Sequence, residues 1–87
     1  MKFNVHFVDE IPRDVGSEDL YVCEQYGCSV HICPCGCKMK VAISLLPFWK
    51  EGWTVERNGD FVTFAPSLLN RGCNAHYFIR NSEVVWA

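Results

Sequence analysis

The stretch His31-Ile32-Cys33-Pro34-Cys35-Gly36-Cys37 decides the fold, because it places three thiols within five residues of one another. A second pair of the same chemistry, Cys73-x-x-His76, follows much later in the chain. Thiolate and imidazole are the ligands that zinc prefers, and a structural zinc site takes four of them. The sequence therefore predicts one zinc site built from two distant segments, with five candidate metal ligands: Cys33, Cys35, Cys37, Cys73 and His76.

The residues between the first three thiols predict a tight turn. Pro34 has no backbone N–H, and Gly36 tolerates a positive φ angle. The remaining N–H groups of such a turn point at sulfur, where they stabilise a metal-bound thiolate. Because zinc binds finger peptides with about 10–16 kcal/mol at neutral pH, a site of this kind would stabilise a small domain strongly.

Length and charge exclude several classes of function. At 87 residues the chain is predicted to be one metal-binding domain over 1–87, with a thin apolar core. A formal net charge of −2 disfavours nucleic-acid binding. The sequence shows neither a signal-peptide pattern nor a membrane span, which predicts a cytoplasmic protein and no membrane partner. In that compartment six cysteines indicate metal ligation or reactive thiols. In a secreted chain they could form three disulfides, but three long-range bridges from Cys33, Cys35 and Cys37 would crowd one point.

Alternating apolar and polar residues predict an all-β domain of about seven short antiparallel strands, zinc-ribbon-like or a sandwich. Asn58-Gly59 predicts a β-hairpin turn, and Asn81-Ser82 predicts a second, weaker one. The largely apolar run 41–46 predicts a central strand, and 68–72 a loop or a single helical turn. Cys23 and Cys28 lie in strand-like segments and are predicted to be small buried side chains.

His31 leaves an alternative open. Together with Cys33, Cys73 and His76 it would supply two thiols and two imidazoles, which is the ligand set of a Rieske-type [2Fe–2S] centre. The order of the first pair is reversed relative to a Rieske box, and Cys35 and Cys37 would have no role. The other interpretation is a strand histidine that forms a hydrogen bond beside the metal site.

The sequence predicts no catalytic residues and leaves enzymatic activity open, with a binding module favoured. A nucleophilic pair of His76 with one of the thiols is conceivable, but a thiolate held by zinc is a poor nucleophile. No third residue suggests itself to orient the histidine.

Several motifs together resemble a family of small uncharacterised bacterial proteins that are rich in cysteine and histidine. They are the cysteine turn, Pro66-Ser67-Leu68, Cys73-x-x-His76-Tyr77-x-Ile79-Arg80, the terminal Val85-Trp86-Ala87, and the early segments Phe7-Val8-Asp9-Glu10-Ile11-Pro12 and Leu20-Tyr21-Val22. The resemblance covers nearly the whole chain, and the family pattern includes all five candidate ligands and His31. This sequence departs at Lys38, where a second glycine is usual.

The resemblance implies a cellular context. Members are encoded beside bacterial ubiquitin-like proteins and the enzymes that conjugate and remove them, in gene clusters linked to phage defence. The predicted function is therefore a zinc-stabilised accessory or adaptor protein that contacts protein components of a ubiquitin-like conjugation pathway. The alternative is an electron-transfer protein with a [2Fe–2S] cluster.

Overall fold

The computed structural model describes residues 1–87 and contains nine strands and no helix. The strands are β1 (Asn4–Phe7), β2 (Asp19–Cys23), β3 (Cys28–Ile32), β4 (Lys40–Ser44), β5 (Thr54–Asn58), β6 (Phe61–Ala65), β7 (Leu68–Asn70), β8 (Ala75–Arg80) and β9 (Glu83–Trp86). They form a four-stranded sheet in the order β1-β2-β3-β4, the β5–β6 hairpin, and a three-stranded sheet in the order β7-β8-β9. The all-β prediction is confirmed, with nine strands instead of seven.

Every strand pair except β1–β2 is antiparallel, and β1–β2 is parallel. The alternation of the sequence sets which side chains enter the core, as in β8, where Ala75, Tyr77 and Ile79 are buried while His76 and Arg80 are exposed. Thirteen buried side chains drawn from all three sheets form one core cluster.

Both predicted hairpins are present, but the first has a different turn. Asn58 pairs with Phe61, so the two loop residues are Gly59 and Asp60, one position later than the sequence predicts. Gly59 takes the positive φ of 64° that this turn requires. In the second hairpin Asn81 and Ser82 have φ angles of 49° and 65°, as a type I′ turn demands.

Two predictions about strands are wrong. β4 is an edge strand and not a central one, because beyond it only an isolated Leu45–Trp53 bridge continues the pairing. Val41, Ile43 and, directly after the strand, Leu45 share one face, on which Ile43 and Leu45 are buried, while Ala42 on the opposite face is exposed. Residues 68–70 form a strand instead of a loop, since they pair with the core strand β8.

These two corrections matter for the site, because β4 and β7 are both edge strands.

No helix in the chain has the length and apolar character needed to cross a bilayer.

Candidate functional site

Four of the five predicted ligands come together. The Sγ atoms of Cys33, Cys35, Cys37 and Cys73, hereafter the sulfur cluster, all lie within 4.8 Å of one another. Three of them follow β3 and the fourth lies between β7 and β8, so the cluster connects two sheets. All six cysteines of the chain are free thiols, and Cys23 and Cys28 lie outside the cluster.

The spacing of the sulfur atoms fits a tetrahedral metal site. Cys33 and Cys35 are 3.5 Å apart, Cys33 and Cys73 3.7 Å, and Cys35 and Cys73 3.4 Å, measured between Sγ atoms. A Zn–S bond of about 2.3 Å implies sulfur atoms about 3.8 Å apart at the corners of a tetrahedron. The cluster could therefore hold a metal ion with small adjustments of the side chains.

Backbone N–H groups point at the sulfurs, as predicted for the turn. The N–H of Cys35 bonds to the sulfur of Cys33, that of Cys37 to Cys35, and that of Ala75 to Cys73. Each donor lies two residues after its acceptor, and each bond lowers the pKa of the thiol that accepts it. Lys38 closes the turn with a left-handed φ of 65°, a conformation that glycine adopts more easily.

Cys33, Cys35 and Cys73 influence one another's ionisation. Burial raises the pKa of Cys33, but hydrogen bonds from the Cys35 backbone, Asn70 and the neighbouring thiols outweigh burial and lower it to about 7. The backbone of Cys37 lowers the pKa of Cys35, yet the adjacent thiols raise it to about 12. The Ala75 backbone lowers the pKa of Cys73, but burial and the thiols of Cys33 and Cys37 raise it overall. A thiolate at Cys33 thus opposes ionisation of Cys35 and Cys73, and a bound cation is the group that would favour the thiolate form of these side chains.

His31 does not join the cluster. Its side chain is fully buried, and its Nε2 lies 2.7 Å from the hydroxyl of Tyr77. Burial lowers the pKa of His31 to about 4, so the ring is neutral, and its Nδ1 has no hydrogen-bond partner. Because Tyr77 lies in β8 and His31 in β3, this bond links the same two sheets as the cluster does.

His76 also lies outside the cluster. Its Nε2 is 2.8 Å from the Oγ of Ser67. The structure therefore gathers four thiols, and not the two thiols and two imidazoles of the Rieske alternative. The fifth predicted ligand instead forms a serine–histidine pair, which the sequence did not predict.

The chain positions both members of the pair. Ser67 follows Pro66 between β6 and β7, and its carbonyl accepts a hydrogen bond of 3.2 Å from the Trp53 indole N–H. His76 lies on the outward face of β8, opposite Leu69 of β7, and its ring stacks on Phe78 with centroids 6.3 Å apart. The backbone N–H of Ser67 donates to no protein acceptor.

This pair has the chemistry of an activated nucleophile. A histidine within hydrogen-bond reach of a hydroxyl can remove its proton when Nε2 is the acceptor, which requires the ring proton on Nδ1. His76 is exposed and Ser67 is half-buried, so the pair is open to a large substrate. No carboxylate contacts Nδ1 of His76, so the pair is a dyad without an acidic third member.

A signal for Ser67 was present in the sequence. The Pro66-Ser67-Leu68 segment contributed to the family resemblance without a chemical reason for its presence. The β7–β8 register brings Ser67 beside His76, and a loop over 68–72, as the sequence predicts, would have no such register.

Comparison with known families identifies one family model that matches most of the chain. The family model described as "BubE: Bacterial ubiquitination-like system serine protease" matches residues 7–87. It agrees with the ubiquitin-like context that the sequence motifs imply, and its description as a serine protease corrects the expectation of an uncharacterised family. No curated protein and no solved structure matches the chain.

Proposed function

Because the chain belongs to the BubE family of bacterial ubiquitination-like systems, we propose that it is a serine peptidase with Ser67 as nucleophile and His76 as general base. The substrate we assign is a ubiquitin-like protein of the same system, as a precursor or as a conjugate. The observation that carries the proposal is the 2.8 Å contact between Ser67 Oγ and His76 Nε2.

The reaction follows from this geometry. Ser67 Oγ attacks the scissile carbonyl carbon while His76 Nε2 takes the hydroxyl proton. The unpaired N–H of Ser67 is a donor available to the oxyanion of the tetrahedral intermediate. The C–N bond then breaks, His76 returns the proton to the leaving amine, and water with His76 as base hydrolyses the acyl-enzyme.

The sulfur cluster has a separate, structural role in this proposal. Zinc is the ion that four thiolates at these spacings favour, with all four positions filled by protein and none left for substrate. Cys73 and the first residue of β8 share an N–H···S bond, and His76 follows directly. A zinc ion in the cluster would therefore hold the start of β8, and with it the general base.

The test is cleavage of the ubiquitin-like protein carrying a reporter domain at its C-terminus, followed by mass spectrometry. Ser67→Ala should lower the rate by about 10⁴-fold or more, as loss of a catalytic nucleophile does. The matched control is Ser44→Ala, because the hydroxyl of Ser44 donates to the Glu51 carbonyl at 3.0 Å and has no histidine partner. Ser44→Ala should keep the activity of the unmodified chain.

The accessory role predicted from the sequence gives a different result. An adaptor would bind the ubiquitin-like protein without cleaving it, and Ser67→Ala would leave its binding unchanged. Binding by a folded, metal-loaded chain that never cleaves would reject the peptidase and support the adaptor.

A further inference from the structure

A groove of about 330 Å³ runs between the two edge strands β4 and β7. Its walls are residues 40–43 on one side, residues 68–71 on the other, and Trp53. Edge strands carry backbone groups without partners, and these groups can pair with a strand from another chain. The groove is thus bounded by two surfaces that can each accept an extended peptide.

The register shows which backbone groups of β7 are free. His76 accepts the N–H of Ala87 at 3.0 Å, so His76 directs its backbone groups toward β9. Because directions alternate along a strand, Tyr77 and Ala75 direct theirs toward β7, where they pair with Leu68 and Asn70. The N–H and C=O of Leu69 between them therefore point away from the sheet.

The same argument applies to β4. Leu45 donates to Gly27 at 2.8 Å, so Leu45 and, by alternation, Ile43 direct their backbone groups toward β3. The N–H and C=O of Ala42 then point outward. Ala42 and Leu69 each present one donor and one acceptor from opposite walls of the groove.

The groove leads to the serine–histidine pair. Leu69 lies two residues after Ser67 and, in the sheet register, opposite His76. Trp53 lines the groove and also donates to the Ser67 carbonyl at 3.2 Å. A peptide that pairs with Leu69 thus passes directly beside the nucleophile.

The end of the groove away from Ser67 carries positive charge, which favours some peptide side chains over others. Arg71 and Lys40 line it, no acidic residue does, and neither cation forms a salt bridge. The Lys40 ammonium donates a hydrogen bond to the Arg13 carbonyl at 3.1 Å. This bond positions the ammonium group at the groove but does not neutralise its positive charge. In a chain of net charge −2 this is a local positive site, and it favours an acidic side chain.

We propose that the groove between β4 and β7 binds the extended tail of the ubiquitin-like substrate as an added strand on β7, paired with Leu69, and that Arg71 and Lys40 select an acidic residue in that tail. The inference rests on the proposed peptidase function and adds its specificity. With one residue of peptide per residue of strand, the acidic position lies about four residues from the cleaved bond.

The experiment measures binding without turnover. The isotope-labelled Ser67→Ala variant is titrated with two tail peptides of the ubiquitin-like protein. The two peptides are identical except for the position opposite Arg71, where one carries Glu and the other Lys. We expect NMR shift changes at the Leu69 and Ala42 amides and tighter binding of the Glu peptide. In a chain that also carries Arg71→Glu, the preference should be reversed, and the Lys peptide should bind more tightly than the Glu peptide.

Leu69→Pro removes the outward N–H, and Leu69→Ala is its matched control because it keeps that N–H. Proline is tolerated at an edge position whose N–H makes no bond within the sheet. We expect Leu69→Pro to bind the peptide about tenfold more weakly than Leu69→Ala, as loss of one hydrogen bond implies. Equal affinity of the two variants for the peptide would show that the peptide does not pair with Leu69 as an added strand.

The results separate this inference from the proposed function. No detectable peptide binding, or shift changes confined to the exposed Phe48 and Trp49, would show that the groove does not bind the tail. The unmodified chain could still cleave the substrate in that case, so the peptidase proposal would be unaffected. Specific shifts at Leu69 together with an inactive unmodified chain would support the groove and reject the peptidase.

Discussion

Substituting one cysteine of the sulfur cluster tests whether a metal ion holds this fold together. Cys73→Ser is the informative change, because Cys73 is the only cluster member in the β7–β8 connection, whereas the other three follow β3. Its loss leaves three thiols on the turn after β3 and breaks the connection between that turn and the start of β8. We expect the variant to bind metal more weakly and to unfold far more easily than the unmodified chain.

The magnitude follows from the size of the domain. A chain of 87 residues has a free energy of unfolding of about 4–13 kcal/mol, from about 0.05–0.15 kcal/mol per residue. Structural zinc contributes about 10–16 kcal/mol in small domains, so one ligand in four is worth about 3 kcal/mol. Loss of that amount removes much of the stability, and complete removal of the ion by a chelator should unfold the chain.

The assay is urea unfolding followed by tryptophan fluorescence, with the metal content measured on the same samples. Cys23→Ser is the matched control, because Cys23 is fully buried but lies outside the cluster, with its thiol 3.4 Å from the Asp9 carbonyl. We expect about 1–2 kcal/mol of destabilisation in this control. Similar small effects in Cys73→Ser and Cys23→Ser, with the fold intact after chelation, would show that no metal ion holds the fold together.

Two further predictions concern buried contacts. Tyr77→Phe should lower the free energy of unfolding by about 1–3 kcal/mol because it leaves the buried Nε2 of His31 without its partner at 2.7 Å, whereas Tyr26→Phe should change nothing because Tyr26 is 57% exposed. Gly52→Ala should cost about 3 kcal/mol, because its φ is 140° and a Cβ there would clash with the backbone oxygen of Ser44. Gly59→Ala, with φ of 64° and open space around it, should cost about 1 kcal/mol. Urea unfolding measures all four changes, and equal stability of either matched pair would contradict the corresponding prediction.

Local patterns in the sequence were sufficient for the parts of the fold that depend on neighbouring residues. The turn at Cys33–Cys37, its N–H···S bonds and both hairpins follow from spacing, proline and glycine. The all-β class follows from alternation. Each of these features is determined within about ten residues of chain.

Features that depend on strand register could not be predicted. Cys73-x-x-His76 has the spacing of a metal-binding pair, but β8 begins at Ala75 and its alternation turns His76 outward, away from the cluster. The partner of His76 is then decided by the pairing of β7 with β8, which brings Ser67 within 2.8 Å. Edge or central position, as for β4, also depends on which strands pair and not on local composition.

Covalent labelling of the chain with a fluorophosphonate, a reagent that reacts with activated serine hydroxyls, tests most directly whether Ser67 is a nucleophile. We expect one adduct per chain by intact-mass spectrometry, mapped to Ser67 and absent in both Ser67→Ala and His76→Ala, while Ser44→Ala is labelled normally. An unlabelled, folded and metal-loaded chain, or an adduct that persists without His76, would contradict an activated Ser67.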